Sequence, residues 1–162
     1  MGTTTRMKRG AAVALLMGLI AVGTTACFPD TSASEPADPY FAAMYRAINR
    51  DRANFGLPPL VNSPKLGNLA GTWAWQMSQD QYLHHQDLSS VLYSQDFSGY
   101  YTLGENIIVA PGYYSADQLE AVWMSSPMHR ANILSPYFNI VGVGMVWGPD
   151  GNIWACVDFG AL

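Results

Sequence analysis

From Asp38 onward the chain carries apolar residues first at helical spacing and, near its end, at strand spacing. Phe41, Met44, Tyr45, Ile48 and Arg52 recur every three or four positions, with Arg46, Arg50 and Asp51 on other faces. That period predicts a helix. Asp38 supplies an N-cap acceptor, Pro39 is pre-set for the first turn, and Gly56 with Pro58-Pro59 stops the helix. Ser63-Pro64 repeats the start signal, and Leu66, Leu69, Ala70, Trp73 and Met77 form the stripe of a second helix, expected to end near His85. The stretch from Gln86 to Tyr101 has no clear period and reads as short helical turns and loop. Gly104 to Val109 reads as extended and is closed by Pro111-Gly112. Ser115-Ala116-Asp117-Gln118 is a capping-box pattern, and Leu119, Val122 and Trp123 give a third helical face. Ser126-Pro127 opens a short helix through His129 and Ile133. Asn139 to Trp147 and Asn152 to Phe159 are rich in Val, Ile and aromatics around Gly148-Pro149-Asp150-Gly151, which predicts a hairpin with a four-residue turn. Helices followed by a terminal β-hairpin argue an α+β fold in layers.

The first residues follow a different logic. Arg6, Lys8 and Arg9 precede an apolar run from Ala11 to Val22, then small residues to Ala26, then Cys27. That order is the signature of a secretory signal peptide, here residues 1–26. The apolar run is shorter than the roughly 20 residues of a spanning helix. Two outcomes stay open: cleavage after Ala26, or lipidation of Cys27 as the new N-terminus, although Thr24 stands where lipoprotein signals usually carry Leu. Residues 27–37, rich in Ser, Pro and acid, read as a flexible linker, and 38–162 as one domain with one core. The chain is expected to be exported, and either secreted or anchored to the outer face of the cell membrane.

Loss of the leader changes the charge. It removes three of the eight basic residues and none of the twelve acids, leaving a net charge of −7. No basic patch survives, which argues against nucleic acid as a partner and leaves membrane contact to a signal anchor or a lipidated Cys27. The two cysteines are Cys27 and Cys156. Export permits a bridge between them, whereas acylation of Cys27 would leave Cys156 a buried thiol in an apolar strand.

Several segments together resemble one family. They are Asn49 and Arg52 followed by Gly56-Leu57-Pro58-Pro59-Leu60, Ala70 to Met77 with a His eight residues later, and Gly104-Glu105-Asn106-Ile107. With them stand Trp123-Met124-Ser125-Ser126-Pro127-Met128-His129-Arg130-Ala131-Asn132-Ile133-Leu134, Val141-Gly142-Val143-Gly144, and Trp154 to Gly160. In this order they resemble the bacterial type of the CAP superfamily (SCP-like extracellular domain), which includes cysteine-rich secretory, venom antigen and pathogenesis-related proteins. The resemblance implies an α-β-α sandwich with a small antiparallel sheet and a cleft collecting two His and two acids. Carried over residue by residue, it gives Glu105 from Gly-Glu-Asn, His129 from Ser-Pro-x-His-Arg, and His85 by spacing, with His84 as a rival. The second acid is missing, because its position is Ser126.

Physically, His85, His129 and Glu105 are a donor set suited to a divalent ion such as Zn²⁺, with an open position. No local motif joins them, so only folding could assemble them. A simpler use is structural: Glu105 accepts hydrogen bonds from a His and from backbone, pinning loops together. His129, in the first turn of its helix, is disfavoured as imidazolium and is a candidate neutral partner for Glu105. Ser125 and Ser126 lie near His129, as a Ser/His hydrolase would need, but Ser126 has an ordinary use as N-cap. Cys156 lacks the electropositive setting of a nucleophile. Tyr93, Tyr100, Tyr101, Tyr113 and Tyr114 are expected to roof the core beneath loops, with display toward a glycan, lipid or peptide as the alternative. The overall expectation is a module binding a small ligand, lipid, glycan or protein, with a metal-dependent or Ser/His hydrolase as the competing class.

Overall fold

In the computed structural model, which describes residues 1–2 and 34–162, the first two helices, each opened by a proline, begin where their caps predict. Asp38 Oδ1 accepts from the backbone N–H groups of Tyr40 and Phe41 at 2.8 and 3.1 Å, opening α1 (Pro39–Asn54). Ser63 Oγ accepts from Leu66 at 3.3 Å and opens α2 (Pro64–Asp80). Between them lies the two-residue strand β1 (Val61–Asn62). The second helix stops earlier than its periodicity suggests. Gln81 takes a left-handed conformation (φ 51°), and its N–H returns to Met77 O. Residues 82–87 therefore leave α2 as an extended connection, which carries His84 and His85 away from the helix.

The unpatterned middle holds α3 (Leu88–Leu92) and one short 3₁₀ turn (Gln95–Phe97). The extended segment around Glu105 is longer than expected, running as β2 over Thr102–Pro111. Ser115 and Gln118 form the reciprocal capping box of α4 (Ala116–Ser125). Ser126 precedes α5 (Pro127–Ile133) with extended backbone, but its hydroxyl makes no capping bond, contrary to the role expected of it. The hairpin of β3 (Ile140–Trp147) and β4 (Asn152–Ala161) has the four-residue turn Gly148–Gly151.

The sheet order is β1-β3-β4-β2. The three long strands are antiparallel, and short β1 adds a parallel pair to β3. Strand alternation sorts the side chains to two faces. Val141, Val143, Met145, Ile153, Ala155, Val157 and Phe159 pack with Met44 and Ile48 of α1, Leu119 and Trp123 of α4, and Ile133 of α5. Trp154, Cys156 and Ile107 face Ala70, Ala74 and Met77 of α2. The result is an α-β-α sandwich. Gly142 and Gly144 point at α2, where a Cβ on Gly144 would lie 2.0 Å from Gly71 N and 2.3 Å from Ala70 C. The helix backbone thus rests directly on β3. Among the described residues no helix is long and apolar enough to cross a membrane.

Arg52 is wholly buried in α1 and directs its guanidinium to backbone. Nε donates to Pro58 O at 3.0 Å, and one terminal nitrogen donates to Ile133 O and Ser135 O, both at 2.8 Å. Asn49 exchanges two bonds with the Leu60 backbone, at 2.8 and 3.0 Å. These two side chains tie the turn after α1 and the end of α5 to one helix, through charge-assisted bonds of about 1.5–3 kcal/mol each at Arg52. The last residues before the domain also touch it: Ser34 O accepts from Asn62 and Glu35 pairs with Arg46 at 2.6 Å.

Glu120 of α4 is buried, with one carboxyl oxygen lacking a hydrogen-bond partner among the described residues. Burial, then the hydrogen bond and charge of Asp51, push its pKa from 4.5 up to about 8. The folded state therefore holds this proton more tightly than the unfolded chain. The associated stability is complete below about pH 4.5 and is lost as pH rises to about 8. Glu120→Gln is expected to remove that share of the slope and to gain about 1–3 kcal/mol at pH 8, read from urea midpoints across pH. Gly144→Ala is expected to cost about 3 kcal/mol by driving a methyl into α2 backbone, checked by the same denaturation at one pH.

Candidate functional site

Antiparallel register sets Glu105 of β2 directly opposite Asp158 of β4, and Ile107 opposite Cys156. Glu105, Cys156 and Asp158 all point to the α2 face, and all three are buried. Their oxygen and sulfur atoms lie within 4.8 Å of one another. Two carboxylates so close and so dry cannot both ionise cheaply. Burial, then the charge of Glu105, push Asp158 from 3.8 up to about 8, so Asp158 keeps its proton at neutral pH.

Gln86 reconciles the pair. Its side-chain nitrogen donates to Glu105 Oε2 at 2.7 Å and approaches both Asp158 oxygens at 3.1 and 3.2 Å. Its backbone N–H donates to Glu105 Oε1 at 3.2 Å. The same Oε1 lies 2.5 Å from Nδ1 of His85, one residue earlier. Glu105 is 1% exposed and the His85 side chain 60%. A sealed carboxylate therefore anchors an imidazole that faces solvent. Cys156 Sγ sits 3.4 Å from Glu105 Oε2, and its pKa is raised well above normal by burial and then by the charges of Asp158 and Glu105.

His129 arrives from the opposite layer. Because β2 is an edge strand, elements from both faces meet along its free side, where its outward carbonyls need donors. Asn132 donates to Glu105 O at 2.9 Å and Trp123 Nε1 to Ile107 O at 3.1 Å. Asn106 donates to His129 O at 3.0 Å and accepts from Asn132 at 2.9 Å. These bonds hold α4 and α5 against β2 and bring His129 within electrostatic reach of His85. Burial, and then the nearby His85, lower the His129 pKa, which keeps it neutral. Glu105 and His85 are thus in direct contact, with His129 within electrostatic reach of His85, and the partner of Glu105 is His85 and not His129.

His84 is used elsewhere. It stacks on Tyr82 (5.2 Å between centroids) and meets Trp73 edge-on, while its carbonyl accepts from Trp73 Nε1 at 2.8 Å. Ser125 Oγ donates to Val122 O at 2.6 Å, within its own helix. The tyrosines divide. Tyr100 packs on Phe97 and Tyr114 on the core, as expected of roofing residues, but Tyr93, Tyr101 and Tyr113 are displayed to solvent. Each of these three lies at or beside the end of an element, where no second layer covers it. Cys156 is buried and has no disulfide partner among the described residues. Cys27, the signal peptide and lipidation all lie outside the described residues.

Gln86, Asp158 and Cys156 are site residues that the sequence reading did not place there. One signal was available: Asp158 is the lone acid in an otherwise apolar strand, on the parity that packs inward. It provides a second acid beside Glu105 from a different element than position 126. Both Glu105 oxygens are already engaged, so Glu105 orients an imidazole and presents no free ligand atom to the cleft. If a divalent ion were held, His85 Nε2 and His129 would offer the nitrogens, with Glu105 one bond behind.

The sequence profile of the Cysteine-rich secretory protein family (CAP) matches residues 45–158. The uncharacterized protein YkwD of Bacillus subtilis (strain 168) is 34% identical over 131 residues, covering 76% of this chain and 48% of that protein. The chain therefore spans about half the length of this curated relative. A cysteine-rich secretory protein from Staphylococcus aureus superposes with TM-score 0.62 at 20% identity, over 77% of this chain and 40% of that one. An extracellular protein containing a SCP domain from Bacillus anthracis gives 0.61 at 22%, over 80% and 45%. An outer surface protein from Borrelia burgdorferi gives 0.61 at 17%, over 72% and 88%. At these identities the likeness to the three structures is one of fold.

The raised Asp158 pKa yields a signed expectation. Its stabilising contribution is full below about pH 3.8 and disappears as pH climbs to about 8. Asp158→Asn keeps a neutral, hydrogen-bonding group opposite Glu105. The variant should match the wild type near pH 4 and exceed it by about 1–3 kcal/mol at pH 8, measured by urea unfolding at pH 4, 6 and 8.

Proposed function

This chain belongs to the cysteine-rich secretory protein (CAP) family, and from that membership we propose that it is an exported binding module whose ligand seat is the cleft of His85, Glu105 and His129. The observation that carries this reading is the mismatch in exposure between the two halves of one pair. Glu105 is sealed in the sheet while the imidazole it holds at 2.5 Å stands open to solvent. An orienting carboxylate behind an exposed ring is what a recognition site needs, because it removes the cost of ordering that ring on binding. Beside it, a neutral His129 adds a second ring without adding charge.

A hydrolase would need an activated nucleophile in the same place. The carboxylate–imidazole pair is the half of such a device that favours the competing reading. The other half is not supported by the nearby groups. Ser125 gives its proton to a helix carbonyl, and the Cys156 thiol is buried between two carboxyl groups that oppose its ionisation. The ligand class follows the same balance: small polar molecules, lipids, glycans and protein surfaces suit a site whose named residues include no Lys or Arg better than polyanions do.

Two measurements test the proposal. Calorimetric titration of the metal-free mature chain with Zn²⁺ is expected to give weak heats that His85→Ala and His129→Ala leave unchanged. Tight one-to-one binding lost in both variants would overturn the pure binding module in favour of a metal-dependent enzyme. Export is read by intact mass. The mature protein should begin at Cys27, with or without a diacylglycerol adduct, and a chain retaining residues 1–26 inside the cell would reject it.

A further inference from the structure

The cleft reading leaves open what sets the orientation of His85, which stands in an extended connection and not on a helix or strand. Around it, the side chains of Tyr82 and Leu83 are exposed, His84 is tied to Trp73 through its carbonyl, and Asp87 turns to cap α3. Its neighbour Gln86, by contrast, is buried and engaged through both main chain and side chain. The backbone N–H of Gln86 and the Nδ1 of His85 converge on one oxygen of Glu105, at 3.2 and 2.5 Å. The Gln86 amide then takes the other Glu105 oxygen at 2.7 Å and spans to Asp158.

We propose that Gln86 is the positioning residue of the cleft: by bridging Glu105 to Asp158 it locks the carboxylate that keeps the proton of His85 on Nδ1, so that Nε2 faces the ligand as a hydrogen-bond acceptor. The geometry leaves few alternatives for the amide. Its NH₂ end must face Glu105, because the amide carbonyl would repel that ionised carboxylate. Once Oε2 of Glu105 is fixed by that NH₂, the planar carboxylate can turn neither toward Asp158 nor out to solvent. Oε1 is then held for the imidazole, and an acceptor so close to Nδ1 sets the tautomer. On the α2 side, Ala70, Ala74 and Met77 pack with Cys156 and Ile107, the neighbours of Asp158 and Glu105 on that face.

The consequence deepens the binding-module reading by naming the chemistry it selects, and for the use of the cleft it rests on that reading. An acceptor nitrogen on an anchored ring favours a ligand that presents a polarised N–H or O–H. A ligand offering only acceptors would confront the Nε2 lone pair.

The test reads the tautomer in the ligand-free, metal-free mature protein, so it succeeds or fails whether or not the cleft binds anything. Long-range ¹H–¹⁵N correlation spectra, recorded at a pH where the His85 ring is neutral, should show it as a single tautomer, protonated at Nδ1 and bare at Nε2. In Gln86→Leu that one-sided pattern should be lost at His85 and kept at His84, which is held by Tyr82 and Trp73 in a separate stack. An unchanged His85 pattern in a folded Gln86→Leu protein overturns the proposal. Should that variant fail to fold, the wild-type side-chain amide of Gln86 decides. Its protons should exchange with solvent at least tenfold more slowly than those of exposed Gln79 and Gln95. Equal rates would mean that the amide does not bridge the two acids, and the proposal fails.

Discussion

The site depends on two acids that face each other across neighbouring strands in a place with almost no water. β2 and β4 pair in a register that leaves no freedom over who opposes whom, so Glu105 must meet Asp158. Low polarisability around them makes a double negative charge costly. The structure answers by keeping Asp158 protonated and placing one amide between them. That amide belongs to Gln86, and the residue before it is the exposed histidine. A local electrostatic difficulty inside the sheet is therefore what holds a polar side chain steady at the surface.

This arrangement requires α2 to lie close to the sheet and then to end. Gly142 and Gly144 supply the closeness, because any side chain there would occupy helix backbone. The left-handed turn at Gln81 supplies the ending and hands the chain to an extended path toward β2. On the other face, Trp123 and Asn132 satisfy outward carbonyls of β2, which explains why Trp, His and Asn recur in one short segment of this sequence. The tryptophan and asparagine dock the layer, and the histidine between them is delivered to the strand edge. Arg52 performs a similar office beneath, holding the end of α5 to α1 through carbonyls alone.

Much of this was readable in advance. The caps at Asp38, Ser63 and Ser115 act over three residues, so their outcome is local, and α1, α2 and α4 start where those caps predict. The hairpin is equally local: two apolar runs and a Gly-Pro-Asp-Gly turn. The resemblance in motif order named His85, Glu105 and His129; the first two are in direct contact, and the third lies within electrostatic reach of His85. Less legible were the end of α2, where a polar Asp-Gln pair outweighs an apolar period, and the exposure of Tyr93, Tyr101 and Tyr113. Their composition suits a roof, yet no layer lies beneath them.

What the amino-acid order determined by itself is therefore everything set by near neighbours: where helices begin, where strands alternate, and which strand carries a solitary acid. Only the tertiary structure decided that this acid, Asp158, would stand opposite Glu105, that Gln86 would lie between them, and that His85 rather than His129 would take the remaining oxygen. Those choices join residues 19 to 72 positions apart. Distances of that kind are governed by strand register and by how closely a helix can settle on glycine, and neither is encoded in any one segment.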